Sequence, residues 1–139
     1  MANLNLLKPK VKALALELQK RAKEVGIDII FTCTLRSVAE QNKLYARGRT
    51  LPGKIVTNAR GGESLHNYGV AFDICPVING KAIFNDASLF NRVGKIGIDL
   101  GLEWGGSWKK FIDKPHFQYT AGYSLNAFKN GKIDLKKFT

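Results

Sequence analysis

The sequence predicts an α+β domain in which a small antiparallel sheet is flanked by helices. Three observations predict it. Residues 9–25 place apolar side chains at three- and four-residue spacing. Two β-branched, apolar runs, 27–34 and 70–78, have the length of strands. The second run ends in Asn79-Gly80, a strong two-residue hairpin signal. With 139 residues there is room for one ordinary core, and residues 1–139 read as a single domain.

The first helix is expected to bury Val11, Leu14, Ala15, Leu18, Ala22 and Val25, with Lys10, Lys12, Glu17, Lys20 and Lys23 outside. Pro9 suits its first turn and Gly26 its C-terminal cap. The strand Ile27–Thr34 follows. Ser37 with Glu40 is a capping box, which predicts a helix from Val38 to Arg47 ended by Gly48. Residues 49–64 lack periodicity and are rich in Gly, Pro and basic side chains; so long a loop in a small domain is usually functional. It leads into His66, which suggests a substrate-binding or lid role.

Val70–Ile78 reads as a central strand returning through Lys81-Ala82-Ile83-Phe84. Asn85 or Asp86 then caps a helix that turns Leu89, Val93, Ile96 and Leu100 inward, with Gly94 and Gly97 as weak points. Leu102-Glu103-Trp104 is a short strand, and His116–Tyr119 is a last strand entered through Pro115. The apolar residues of the tail, Tyr123, Leu125, Phe128, Ile133, Leu135 and Phe138, are expected to pack on the body, in no assigned structure.

Composition narrows the function classes. Twenty-two Lys and Arg against 11 Asp and Glu give a net charge of +11, which attracts polyanions through the long-range field. The charges are scattered, and no recognition helix or aromatic-plus-basic motif speaks for nucleic acid. No apolar run approaches the roughly 18–20 residues that span a bilayer. The first residues lack the basic and apolar regions of a secretory signal. Two cysteines, Cys33 and Cys75, are too few for a disulfide scaffold. Both fall in buried strands; Cys75, two residues beyond Asp73, shares its face and could approach a metal there.

Chemistry concentrates in two segments. The chain has only two histidines, His66 and His116, and each has a carboxylate nearby, Asp73 and Asp113. Two imidazoles and one carboxylate complete the protein ligands of a catalytic zinc, with the fourth position left for water. The other carboxylate is then free as a base. Asp73 is an acid inside an apolar strand, a placement that calls for a hydrogen-bonded structural role or a metal. Arg36 stands at a strand-to-helix junction, either as a surface charge or as a cation that polarises a carbonyl.

These residues carry a resemblance. Ser64-x-His66-x-x-Gly69-x-Ala71-x-Asp73 followed by Asp113-x-x-His116 resembles peptidase family M15, the D-alanyl-D-alanine carboxypeptidase/dipeptidase superfamily. The upstream run Arg36-Ser37-x-x-x-Gln41-x-x-Leu44-Tyr45-x-x-Gly48-Arg49-Thr50 is similar to its L-alanyl-D-glutamate endopeptidases, found in phage endolysins and bacilli. The resemblance implies a Hedgehog/D-Ala-D-Ala-peptidase-like fold. It implies Zn²⁺ held by His66, Asp73 and His116, with Asp113 as acid/base and Arg36 stabilising the oxyanion. Ser64 and Gln41 match positions that line the substrate site.

The function so implied is hydrolysis of the L-Ala-D-Glu bond of peptidoglycan by a monomeric lytic enzyme without a separate wall-binding domain. Anionic wall polymers then become the partner for the positive charge. Without a signal peptide, a phage-encoded version would wait in the host cytoplasm for release by a holin. The alternatives are a D-Ala-D-Ala carboxypeptidase on the same zinc site and a zinc-bearing binding module without catalysis.

Overall fold

Helix α1 (Pro9–Glu24) forms where its periodicity predicts, because Val11, Ala15, Leu18 and Ala22 fall on one face and are fully buried. The computed structural model describes residues 2–139. Strand β1 (Asp28–Cys33) follows, then α2 (Val38–Ala46), whose Ser37–Glu40 capping box is present as the sequence predicts. A 3₁₀ turn at Leu65–Tyr68 leads into β2 (Ala71–Ile78), and the Asn79-Gly80 turn returns it through β3 (Lys81–Ala82). β3 stops earlier than expected, and Phe84 lies beyond it, 70% exposed.

The sheet runs β1-β2-β5-β4, with β3 also on β2, and every pairing is antiparallel. Here β4 is Glu103–Trp104 and β5 is His116–Gln118. β2 is the organising strand. Its Asp73 stands opposite Cys33 on one side and His116 on the other. The β1 register shifts between Phe31 and Cys33, and such an irregularity next to a site re-aims side chains.

Helix α3 (Ala87–Asp99) starts on an Asp86 cap as predicted, but its buried stripe is rotated. Phe90, Val93, Gly94 and Gly97 are buried, whereas Leu89, Ile96 and Leu100 are only partly so. The two glycines expected to weaken the helix are the reason it fits. A Cβ at Gly94 would fall inside the Trp104 ring, and one at Gly97 would collide with Phe117. Bare backbone lets both aromatic rings lie flat against the helix.

The tail is ordered by its aromatics. Helix α4 (Leu125–Lys129) buries Phe128, and a 3₁₀ turn at Leu135–Phe138 buries Phe138; Tyr119 and Tyr123 pack against them. One apolar cluster joins α1, the sheet, α3 and the tail. Among the described residues, no helix is long and apolar enough to cross a membrane.

Candidate active site

The two histidine segments meet at Asp73. Antiparallel pairing of β2 and β5 puts His116 directly across from it. His66 arrives from the 3₁₀ turn, which is stitched to the end of β1. The Arg36 N–H donates to the His66 carbonyl (2.9 Å), and the Asn67 amide donates to the Arg36 carbonyl (2.9 Å). The outcome is one carboxylate oxygen, Asp73 Oδ1, at 3.2 Å from both His66 Nε2 and His116 Nδ1. The rings meet edge to face with centroids 5.0 Å apart, and both histidines are buried.

The remaining ring nitrogens settle which protons these imidazoles carry. His66 Nδ1 lies 2.9 Å from the Thr34 carbonyl, which can only accept, so Nδ1 carries an N–H and Nε2 is the nitrogen turned to Asp73, free to give up its proton for a metal. His116 Nε2 lies 2.7 Å from Gln118 Oε1, while the Gln118 amide NH₂ donates to Glu103 Oε2 at 2.9 Å. His116 must therefore donate from Nε2, which leaves Nδ1 bare. Both nitrogens approach the same carboxylate oxygen, and Asp73 joins two sets of donor atoms that lie within 4.8 Å of one another, one with Cys33 and His66 and one with Asp113 and His116. Lone pairs so placed call for a cation, a proton or a metal ion. The donor set, two imidazoles and one carboxylate, fits zinc.

Titration follows the same logic. Burial opposes charge on His66, but Asp73 and then Cys33 more than offset it and raise its pKa to about 10. Burial likewise works to raise Asp73, yet His116 and His66 hold it well below the usual carboxylate range. Asp113 is exposed as a residue but has its carboxyl against the site wall. Desolvation there, then the negative charge of Asp73, push its pKa up.

Asp113 is seated by backbone. Its N–H donates to the Gly105 carbonyl (3.0 Å), and the Trp104 indole donates to the Lys114 carbonyl (2.7 Å). A Cβ on Gly105 would overlap the Asp113 carbonyl oxygen, so this approach requires glycine. Trp108 stacks obliquely near His116, with centroids 5.3 Å apart.

A cavity of about 300 Å³ opens over this group, lined by Arg36, Leu44, Val56, Thr57, His66, Asp73, Asp113 and His116. The long loop thus supplies two wall residues, pinned by Arg49, which donates to the carbonyls of Tyr45 and Thr57. A larger hollow of about 430 Å³ between α1 and β1 is lined by Leu16, Gln19, Lys20, Lys23, Asp28 and Ile29. With neither histidine nor thiol, it is not where the chemistry converges.

Five of the seven residues singled out in the sequence, Arg36, His66, Asp73, Asp113 and His116, line the cavity. The other two stand behind it. Gln41 is 1% exposed, accepts from Arg36 (3.0 Å) and donates to the Ala59 carbonyl (2.9 Å). Ser64 caps the 3₁₀ turn, accepting from the His66 N–H at 3.3 Å. Cys75 is buried as its strand predicts and does not approach the site; Cys33, also expected in a buried strand, is only partly buried. Cys75 is in the core, against the Pro76 and Ile83 carbonyls. Cys33 is the thiol at the site, 3.6 Å from His66 Nδ1 and 3.2 Å from the Arg36 guanidinium. Both are free thiols.

Comparison with known proteins agrees with the fold. A family profile described as D-alanyl-D-alanine carboxypeptidase matches residues 57–119. The peptidoglycan L-alanyl-D-glutamate endopeptidase CwlK of Bacillus subtilis is 45% identical over 121 residues, covering 81% of this chain and 72% of CwlK. The L-alanyl-D-glutamate peptidase of Listeria phage A118 is 29% identical over 135 residues, 94% of this chain but only 44% of the phage protein. Among solved structures, the Serratia marcescens L-Ala D-Glu endopeptidase ChiX matches with a TM-score of 0.60 at 25% identity, over 85% of this chain and 84% of ChiX. The chain belongs to peptidase family M15, and it is a peptidase.

Proposed function

We propose that the protein is a zinc-dependent peptidoglycan endopeptidase that hydrolyses the bond between L-Ala and D-Glu of the stem peptide. The observation that carries the metal centre is the approach of His66 Nε2 and His116 Nδ1 to one oxygen, Asp73 Oδ1, with an acceptor on the far side of each ring. Those three atoms would hold the ion. Bound zinc supplies Lewis acidity and brings the pKa of water down to about 7. The choice of bond rests on the relatives, two of which are named for L-alanyl-D-glutamate cleavage at 45% and 29% identity.

The chain's own groups have separable tasks. Asp113, outside the triad but on the same wall, takes the proton of the attacking water and returns it to the departing amine. Its raised pKa suits a group that must hold a proton between those events. Arg36, fixed by Gln41 and Cys33, offsets negative charge on the tetrahedral oxygen, an effect on the order of 3 kcal/mol for one such donor. Gln41 and Ser64 act at one remove, by holding Arg36 and the turn that carries His66. Residues 1–139 serve as one catalytic domain, and the +11 charge draws it to anionic wall polymers.

Digestion of purified muropeptides, read by mass spectrometry with and without a chelator, tests this. The expected result is chelator-sensitive cleavage into a fragment that ends at L-Ala and a peptide that begins at D-Glu. Release of free D-Ala with the L-Ala-D-Glu bond intact would replace the reading with a D-Ala-D-Ala carboxypeptidase, the activity for which the family profile is named.

A further inference from the structure

We propose that Gln118, backed by Glu103, is a positioning residue that dictates which nitrogen of His116 faces the metal. The inference rests on the metal-centre reading above and goes beyond it.

The arrangement is built by register. His116 and Gln118 are two apart on β5 and share a face, while Phe117 between them points into the core. Glu103 stands across β4–β5 from Gln118. Its Oε2 accepts from the Gln118 amide at 2.9 Å and its Oε1 from the Thr120 hydroxyl at 3.0 Å. A carboxylate offers Gln118 nothing but acceptors, so the amide must turn its NH₂ toward Glu103 and its oxygen toward His116. That oxygen in turn holds the proton on Nε2 and leaves Nδ1 for the metal. Orientation thus passes along Glu103, Gln118 and His116, and neither of the first two lines the cavity. Partners of this kind typically change metal affinity by about 10–100-fold when removed.

The two histidines make a direct spectroscopic test possible. Long-range ¹H–¹⁵N correlation of the zinc-loaded protein should show opposite patterns, with the proton on Nδ1 of His66 and on Nε2 of His116. A proton on His116 Nδ1 overturns the proposal without any substitution. Zinc affinity, measured by competition with a chromogenic chelator, should fall about 10–100-fold in Gln118→Leu. Gln118→Glu alone keeps the acceptor but sets two carboxylates in contact. The exchange Glu103→Gln with Gln118→Glu restores the donor–acceptor order and should return affinity to within threefold of the parent. Parental affinity in Gln118→Leu, or no recovery in the exchanged pair when circular dichroism shows it folded, overturns the positioning role alone. A parent chain that binds no zinc overturns the metal centre with it.

Discussion

The two halves of the site hold the same side chain by different means. The His66 ring is fixed by main chain: the Thr34 carbonyl orients it and the Arg36 N–H ties its turn to β1, with the Asn67 side chain as the one side-chain tie on that turn. His116 is fixed by side chains, through Gln118 and Glu103, with Trp108 beside its ring. A carbonyl in the backbone survives any substitution that preserves the fold. A glutamine does not. The His66 half should therefore be insensitive to side-chain changes in its supporting shell, and the His116 half should be tunable.

Removing the atom common to both halves gives the largest effect. Asp73→Ala should abolish stoichiometric zinc by metal analysis and reduce wall lysis to background, because neither imidazole can then share its ion with a carboxylate. Full zinc occupancy in that variant would remove Asp73 as a ligand. Next, Asp113→Asn should leave zinc bound while stem cleavage falls about 10²–10⁴-fold, the usual contribution of a positioned acid/base. Unchanged lysis with zinc retained would remove Asp113 as the acid/base.

A smaller effect probes the His116 half from the core. Gly94→Ala would push on Trp104, whose indole anchors the Lys114 carbonyl beside Asp113. Overpacking of this kind costs about 1–3 kcal/mol. Chemical denaturation should show that loss, with kcat reduced more than zinc affinity. Loss of zinc before loss of rate would mean that the disturbance reaches the ligands themselves.

A last effect belongs to the His66 half and to the metal-free protein, and leaves the zinc-loaded enzyme untouched. The folded pKa of His66, about 10, is raised above its ordinary value of 6.5. A raised group stabilises fully below its unfolded pKa, and that stability disappears as pH climbs through the folded value. The Tm of metal-free protein should decline between pH 7 and pH 10, and His66→Ala should flatten that decline. A decline of the same size in the variant would place its origin elsewhere.

Much of this site could be read from residue types alone. Histidine occurs only twice, and an acid in the apolar run Val70–Ile78 stands out against its neighbours. Helices and caps also followed local rules, as at Ser37–Glu40 and Asp86. What was illegible depends on register. Nothing local says that Cys33 and His116 flank Asp73, so sequence offers no reason to place the Cys33 thiol at the site. The Glu103–Gln118 pair is polar and sits in strands of two and three residues, too short for alternation to identify a face. Gly94 and Gly97 read as helix weaknesses because their value lies in rings contributed from other strands. The tail followed no period, since Phe128 and Phe138 are held by aromatic contacts rather than by a helical stripe.

Zinc K-edge X-ray absorption of the loaded protein tests the central claim most directly. The account predicts nitrogen and oxygen ligands only, two imidazoles among them, at about 2.0–2.2 Å. A sulfur shell at about 2.3 Å would contradict it, by bringing Cys33 into the metal's coordination in place of one of the proposed ligands.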